Sequence, residues 1–341
     1  MAVTELSGGS PSEPPAPDPP FDPWPTDTDL YHCYRLLLGR NPDESGWRAY
    51  RQSLPTTPLT SLVEMFICSE EFRSQLAYQA LVGHEHQVEL ELVELDRRKM
   101  WVDPTDLLVA PLLGDAGWEP DVSAAIERIL QPGWTVIDIG ANVGYFTMLA
   151  ASRIGSEGRV IAFEPGQANC GLIQLSAITN EFDNVRVHAI ALSDTPGAVI
   201  YESFVGTNAR VHPIEKGQIP SVGGPRQLVP AMRLDDIPLE ARVDLIKIDI
   251  EGGELRALKG ASRLLSESRP LIITEFSPPG LHAVSDVSGE EYLRFLAGLG
   301  YRDFGVIQDD GSAVSHGDDA GSVVDAWKAS ARDHIDLLVS P

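Results

Sequence analysis

Cysteine, long apolar runs and basic side chains are all scarce in this sequence of 341 residues. The three cysteines, Cys33, Cys68 and Cys170, form no CxxC pair, so neither a disulfide framework nor a zinc site is indicated. No run approaches the roughly 20 continuous apolar residues of a membrane-spanning helix. The N-terminus lacks the basic start and the apolar run of a signal peptide. We therefore expect a cytoplasmic protein without a membrane partner.

The charge of the chain is strongly one-sided. Lysine and arginine number 26 against 50 aspartates and glutamates, which gives a net charge of −24 at pH 7. A surface this acidic repels phosphate backbones, so we do not expect nucleic acid as a partner. The apolar fraction of 43% and the charged fraction of 22% are close to the averages of globular proteins, so a folded core is expected.

Composition and periodicity divide the chain into four parts. We predict a disordered proline-rich tail at 1–26, a helical accessory domain at 27–82, connecting strands and a helix at 83–133, and the main domain at 134–341. The tail holds eight prolines in its first 25 residues, and proline interrupts both helices and sheets. In the helical part, apolar residues recur at three- and four-residue spacing, with Asp43 and Ser69 as predicted helix caps.

The main domain alternates short apolar runs with helical segments, which is typical of a parallel, doubly wound α/β sheet. The predicted strands are TVIDIG, RVIAFEP, VRVHAIAL, DLIKIDI, PLIITEF and HIDLLVS, and the predicted helices are 143–154, 166–180, 253–265 and 289–299. The stretch 198–234 has two apolar runs around a Gly/Pro-rich middle. That pattern favours an added β-hairpin with a mobile loop.

A glycine-rich turn follows the first of these strands, from Asp138 to Gly144. Gly140 and Gly144 permit a tight turn and a close backbone approach, and the following helix offers free N–H groups. The second strand ends at Glu164, which is placed to accept hydrogen bonds from two ribose hydroxyls. These features indicate an adenosine-containing cofactor. Asp138 would repel a pyrophosphate but suits the charged groups of S-adenosylmethionine, so this cofactor is favoured over NAD.

At these residues the sequence resembles the FkbM family of S-adenosylmethionine-dependent methyltransferases. The matching motifs are VIDIGANVGYFT, RVIAFEP, NVRVHAIALSD, RLDDI, DLIKIDIEGGELRALKGA and PLIITEF, over about 134–276. The resemblance implies a class I, Rossmann-like methyltransferase sheet with an antiparallel last strand, and O-methylation of sugars or related metabolites. The implied cofactor-binding residues are Asp138, Gly140, Asn142 and Gly144 for the methionine part, Glu164 for the ribose, and Ser193 and Asp194 near the adenine.

A second resemblance concerns the helical part. The text YRLLLGRNPDESGWRAYRQSL is similar to the short helical module appended to some bacterial glycosyltransferases and surface proteins. This resemblance implies an accessory bundle for carbohydrate recognition or assembly. The alternative interpretation is a packing or dimerisation element, which would make the protein a homodimer.

Methyl transfer to a hydroxyl requires an aligned acceptor oxygen and removal of its proton, by a base or with the help of a divalent metal. The fourth core strand supplies Asp249 and Glu251, and the next strand ends in Glu275. We predict that these three carboxylates form a Mg²⁺ site. The candidate catalytic residues are Asp249, Glu275 and His282, the last of which follows a loop predicted at 277–280.

The sequence therefore predicts an S-adenosylmethionine-dependent O-methyltransferase whose partner is a carbohydrate, with a mannoside precursor of a methylated polysaccharide as one specific case. Two other classes stay open. One is a non-catalytic scaffold that binds the cofactor or a partner, and the other is an RNA or small-metabolite methyltransferase. The net charge argues against the RNA case, because no basic patch is visible in the sequence.

Overall fold

The computed structural model describes residues 24–34, 42–67, 69, 90–106, 118–203, 209–213 and 226–341. The chain divides into two compact units, Met1–Val88 and Glu89–Pro341. Residues 1–23 of the predicted tail and the helix predicted after Ser69 lie outside the described residues. No helix in these described ranges has both the length and the apolar character that crossing a membrane requires.

The smaller unit contains α1 (Asp27–His32), α2 (Glu44–Ser53), a 3₁₀ turn (Leu54–Thr56) and α3 (Leu59–Ile67). Asp43 caps α2 as predicted, because its side chain accepts a hydrogen bond from the backbone N–H of Gly46 at 2.8 Å. Three aromatic rings form the centre of the unit. The ring centroids of Tyr34 and Phe66 are 4.9 Å apart, and those of Tyr50 and Phe66 are 4.7 Å apart. This packing gives the helices a small apolar core of their own.

The larger unit contains fourteen described strands and eight described helices. The strands are β1 (Glu91–Leu95), β2 (Arg98–Val102), β3 (Thr135–Ile139), β4 (Arg159–Phe163), β5 (Val185–His188), β6 (Ala191–Leu192), β7 (Gly197–Ser203), β8 (Ala209–Pro213), β9 (Arg226–Met232), β10 (Leu245–Ile248), β11 (Leu271–Phe276), β12 (Asp303–Ile307), β13 (Ala313–Ser315) and β14 (Ile335–Ser340). The helices are α4 (Pro120–Ile129), α5 (Tyr145–Ile154), α6 (Gln167–Thr179), α7 (Glu254–Lys259), α8 (Ser262–Ser268), α9 (Pro278–Ser285), α10 (Gly289–Gly298) and α11 (Ala320–Ser330).

Eight strands form the main sheet in the order β13-β12-β14-β11-β10-β3-β4-β5. Neighbouring strands from β5 to β11 are parallel, whereas β14 is antiparallel to both β11 and β12. The chain winds outward from β3 in one direction and then from β10 in the other, so the switch point lies between these two strands. The order confirms the predicted doubly wound sheet with an antiparallel last strand.

Helices cover both faces of the sheet, which explains why β3 and β10 consist of buried residues throughout. One apolar core joins alternate strand residues to α7, α8, α9, α10 and α11, and the other joins the remaining strand residues to α4, α5 and α6. The β1–β2 hairpin packs on the second of these layers. The backbone N–H of Trp101 donates to Ser176 Oγ at 2.9 Å, so the hairpin belongs to the larger unit.

The prediction of a loop at 277–280 is wrong. Helix α9 begins at Pro278, and the Ser277 side chain caps it by accepting from the backbone N–H of Gly280 at 3.3 Å. Proline is well tolerated in the first turn of a helix, because the N–H that it lacks would have no partner there. The Pro-Pro-Gly run, which would break a helix in its interior, therefore starts one here.

Three further differences concern the later part of the chain. The helix predicted over 253–265 is two helices, α7 and α8, and the strands β12 and β13 and the helix α11 were not predicted. The stretch 198–234 is more than a hairpin, because β7, β8 and β9 join β6 in a separate four-stranded sheet of order β6-β9-β7-β8. The middle of this stretch, at 204–208 and 214–225, lies outside the described residues.

Candidate active site

A cleft of about 210 Å³ opens at the carboxyl ends of β3, β4, β10 and β11. A smaller apolar pocket of about 40 Å³ adjoins it and shares Gly140, Pro165 and Ile250 with it. A larger groove of about 660 Å³ lies beside the amino ends of the strands, near Thr135 and Arg159. Open α/β sheets bind ligands at the carboxyl ends of their strands, near the switch point. The 210 Å³ cleft, together with its apolar pocket, is therefore the candidate site.

The loop after β3 forms one wall of the cleft, and two of its glycines are required by the packing. Gly140 has a φ of +79°, and a Cβ there would collide with the carbonyl oxygen of Asp249. Gly144 has a φ of +91°, and a Cβ there would press against the side chain of Ile173 in α6. The predicted tight turn is therefore present. It leads directly into α5, whose N-cap Gly144 contributes no side-chain cap.

Glu164 joins the end of β4 to this loop. Its carboxylate accepts the backbone N–H of Asn142 at 3.0 Å and the backbone N–H of Gly166 at 2.7 Å. The residue is only 4% exposed, and this burial raises its pKa to about 7. A carboxylate has about four lone-pair sites, so two strong bonds to the backbone leave capacity for hydroxyl donors of a ligand. Glu164 lines the cleft, as its predicted ribose contact requires.

Asp138 lies behind the cleft and does not line it. Asp138 is 1% exposed, and Thr147 Oγ1 donates a hydrogen bond to its Oδ2 at 2.6 Å. The β3–β10 register places Lys247 directly beside it. Lys247 Nζ lies 3.1 Å from Asp249 Oδ2. Burial acts to lower the pKa of Lys247, but the charges of Asp249, Asp138 and Glu119 outweigh it and hold that pKa above its ordinary value.

The three predicted metal ligands line the same cleft but do not form a metal site. β10 ends at Ile248, so Asp249 and Glu251 are not on one extended chain, and Glu251 is in a turn with a φ of +57°. Among the described residues, no three histidine, cysteine or acidic side chains converge so that they could hold one metal ion. One Asp249 oxygen also faces the Lys247 ammonium. These residues therefore do not fit the predicted Mg²⁺.

Glu254 holds the turn that follows β10. Its buried carboxylate accepts the backbone N–H groups of Ile250 at 3.0 Å and Gly252 at 3.2 Å. These bonds hold the turn after β10 and leave Glu251 at the cleft. Burial raises the pKa of Glu254 to about 7.

The remaining predicted residues are spread over three places. His282 is exposed on α9 and does not line the cleft. Ser193 lines the adjoining apolar pocket, whereas Asp194 lines neither cavity and accepts from Ser193 Oγ at 3.2 Å. Glu275 lines the cleft, and burial together with the charge of Asp249 raises its pKa to about 10.

The fold also brings side chains to the cleft that were not predicted from the sequence, among them Trp118, Glu119, Tyr145 and His334. His334 directly precedes β14, and an antiparallel strand begins where its parallel neighbours end. The predicted antiparallel last strand could therefore have placed His334 at the cleft. Tyr145 follows the glycine turn directly. Trp118 and Glu119 carried no signal, because they precede α4 and lie far from the motifs in sequence.

The buried carboxyls predict an unusual dependence of stability on pH. Burial raises the pKa of Glu164 and Glu254 to about 7 and that of Asp336 to about 8. In the unfolded chain these groups ionise near their ordinary values, so the folded state holds extra protons at pH 6 and loses them as the pH rises. Each group can change the free energy of unfolding by up to about 1.4 kcal/mol per pH unit. Burial lowers the pKa of His188, so this single group contributes a change of the opposite sign to the free energy of unfolding.

We therefore expect the ligand-free protein to melt at a higher temperature at pH 6 than at pH 8. Thermal melts at pH 6, 7 and 8 in buffers of equal ionic strength measure the effect. Glu254→Gln has no proton to lose in this pH range and should reduce the slope. A melting temperature that rises from pH 6 to pH 8 would contradict the prediction.

The strand order, the glycine turn and the acidic end of β4 define the class I S-adenosylmethionine-dependent methyltransferase fold. Residues 138–302 match the family model described as the methyltransferase FkbM domain. Over these residues, just under half of the chain, the protein is similar to the FkbM methyltransferases.

Individual relatives are distant. The chain is 26% identical over 143 residues to Methyltransferase 1 of Beauveria bassiana, and the aligned region covers 37% of this chain and 57% of that protein. It is 26% identical over 176 residues to Methyltransferase sdnD of Sordaria araneosa, and the aligned region covers 43% of this chain and 68% of that protein. The crystal structure of an FkbM methyltransferase from Methylobacillus flagellatus matches with 17% identity and a TM-score of 0.40, over 93% of this chain and 61% of that one. The chain thus spans little more than half the length of the first of these relatives.

Proposed function

We propose that the protein is an S-adenosylmethionine-dependent O-methyltransferase that methylates a hydroxyl of a sugar or oligosaccharide. The observation that carries the proposal is the acidic lining of the cleft. Five acidic side chains line it, from Glu119, Glu164, Asp249, Glu251 and Glu275, and its one lysine is already paired. Such a lining favours a ligand that bears positive charge and hydroxyl groups over one that bears phosphates.

S-adenosylmethionine fits this lining. It carries a sulfonium and an ammonium against one carboxylate, and when bound it supplies an electrophilic methyl group. Gly140, Asn142 and Gly144 would hold its methionine part through the backbone of the loop, and Glu164 would accept its ribose hydroxyls. The adjoining pocket is lined mainly by apolar side chains, such as Ile190, and suits an adenine ring.

Asp249 is the proposed base. Its Oδ2 is engaged by Lys247, and no described residue donates a hydrogen bond to its Oδ1. The side chain is 25% exposed at the cleft, so Oδ1 can accept the proton of an acceptor hydroxyl. The carboxylate would orient the acceptor oxygen toward the methyl group and receive its proton as the oxygen–carbon bond forms. The sulfonium leaves as a neutral thioether and needs no acid.

Transfer of label tests the proposal directly. The full chain is incubated with methyl-labelled S-adenosylmethionine and a panel of methyl glycosides and mannose oligosaccharides, with an RNA transcript and simple amines as alternative acceptors. We expect alkali-stable label in a carbohydrate fraction. Binding of S-adenosylhomocysteine without transfer to any acceptor would favour the scaffold, and label in the RNA would favour an RNA methyltransferase. Either result overturns the proposal.

Label transfer should also persist in excess EDTA. The expectation rests on the donor geometry, because no described set of three ligands converges and Lys247 occupies one oxygen of Asp249. The same assay is run with EDTA and then with added Mg²⁺. Loss of transfer in EDTA and its recovery with Mg²⁺ would show that the cleft rearranges to bind a metal.

A further inference from the structure

Glu119 lines the cleft although it lies outside the segment that matches the FkbM domain, which begins at residue 138. It directly precedes α4, whose first residue is Pro120. The preceding residue, Trp118, lines the cleft as well. This short segment thus adds an indole and a carboxylate to a site that is otherwise built mainly from the ends of the sheet strands.

The backbone of Glu119 is in the left-handed region, with a φ of 40° and a ψ of 71°. This conformation is unfavourable for residues other than glycine, asparagine and aspartate. Glu119 occupies the N-cap of α4, yet its side chain makes no capping hydrogen bond. Capping and backbone preference therefore both fail to explain a glutamate here. Strained residues of this kind are concentrated at functional sites.

The surroundings of Glu119 place it at the end of the cleft away from the proposed ribose contact. Its carboxylate interacts electrostatically with Lys247, Asp249 and His334, and burial raises its pKa. His334 precedes β14, whereas Glu164 follows β4, and three strands separate β14 from β4 in the sheet. At about 4.8 Å per strand these two strands are roughly 19 Å apart. Glu119 therefore lies at the same end of the cleft as Asp249, the proposed base.

We propose that Glu119 and Trp118 bind the acceptor, with the Glu119 carboxylate accepting hydrogen bonds from acceptor hydroxyls and the Trp118 indole packing against the apolar face of its ring. This inference rests on the proposed function and names the residues that select the acceptor. Carboxylates accept strong hydrogen bonds from neighbouring hydroxyls, and an indole offers a large apolar surface to ring C–H groups. A polyhydroxylated ring presents both features together.

Glu119→Gly tests the inference, because glycine favours the left-handed backbone while the substitution removes only the side chain. The matched control is Glu181→Gly, the same substitution at another left-handed glutamate, with a φ of 59°, in the exposed turn after α6. Both variants should melt at or above the temperature of the wild-type protein. The acceptor probe is the methyl glycoside that takes up most label from the wild-type enzyme.

We expect Glu119→Gly to raise the KM for this glycoside at least about tenfold, while its Kd for S-adenosylhomocysteine stays within about threefold of the wild-type value. Glu119→Gln keeps one acceptor oxygen but no charge, so its KM for the glycoside should lie between those of the wild-type protein and Glu119→Gly. It replaces the glycine variant in the test if that variant does not fold. Glu181→Gly should leave both constants unchanged.

Two results would overturn this inference alone. One is an unchanged KM in Glu119→Gly, and the other is a rise in the Kd for S-adenosylhomocysteine that parallels the rise in KM. Absence of transfer to every glycoside by the wild-type enzyme would instead overturn the proposed function, and the inference with it. The two failures are therefore distinguishable.

Discussion

Asp249→Asn should lower the turnover of methyl transfer by about 10²- to 10⁴-fold, the usual effect of losing a positioned base. Asparagine keeps the shape of the side chain but cannot accept the proton of the hydroxyl. Lys247 loses its anion at 3.1 Å but keeps Asp138 beside it in the sheet, so we expect the protein to stay folded. The measurement is single-turnover label transfer under saturating cofactor, together with calorimetric titration of S-adenosylhomocysteine.

Asp244→Asn is the matched control for this experiment. Asp244 directly precedes β10, at the end of the strand away from the cleft, where its carboxylate accepts the backbone N–H of Thr135 at 2.9 Å. The control loses a comparable carboxylate from the opposite end of β10 and should keep near-normal turnover. Near-normal turnover in Asp249→Asn as well would remove Asp249 from the proposed mechanism.

Glu164→Ala should weaken the binding of S-adenosylhomocysteine about 10- to 100-fold at pH 8. Hydrogen bonds to a charged group contribute about 1.5–3 kcal/mol, which corresponds to this range. The substitution removes the proposed ribose contact and also the two bonds that tie the backbone of Asn142 and Gly166 to the end of β4. In the wild-type protein the affinity should also fall as the pH drops below about 7, where Glu164 takes up a proton.

Glu254→Ala distinguishes ligand binding from general loosening of the fold. Glu254 is also buried and also accepts two backbone N–H groups, but it does not line the cleft. Both variants should lose thermal stability to a similar degree, and only Glu164→Ala should lose most of its cofactor affinity. Equal losses of affinity in the two variants would mean that the effect of Glu164 is structural.

Much of the main sheet was predictable because its signals are local. Strands such as β3 and β10 are apolar runs that must be buried on both faces, and the glycine turn and Glu164 directly follow such strands. A helix start at Pro278 was also encoded locally, in the serine before two prolines, but the same residues can break structure. Local patterns of this kind predict elements well unless two opposite effects share the same residues.

The carboxylate cluster shows the limit of such reasoning. Asp249, Glu251 and Glu275 line one cleft because β10, which precedes the first two, and β11, which contains Glu275, end at the same edge of the sheet. Whether they converge on a metal depends on side-chain directions and on the neighbours in the next strand. The register of β3 and β10 sets Lys247 beside Asp138, and the ammonium also pairs with Asp249. No pattern within one strand could reveal that Lys247 lies beside Asp138.

The sequence by itself thus determined the parallel strands of the sheet, the glycine turn and the acid after β4, since each depends on residues close together in the chain. Only the tertiary structure decided which distant side chains complete the cleft. Glu119 comes from the start of α4 and His334 from the start of β14, more than 200 positions apart in the chain. Packing of α4 and the antiparallel direction of β14 bring them together, and these are long-range effects that short sequence patterns do not carry.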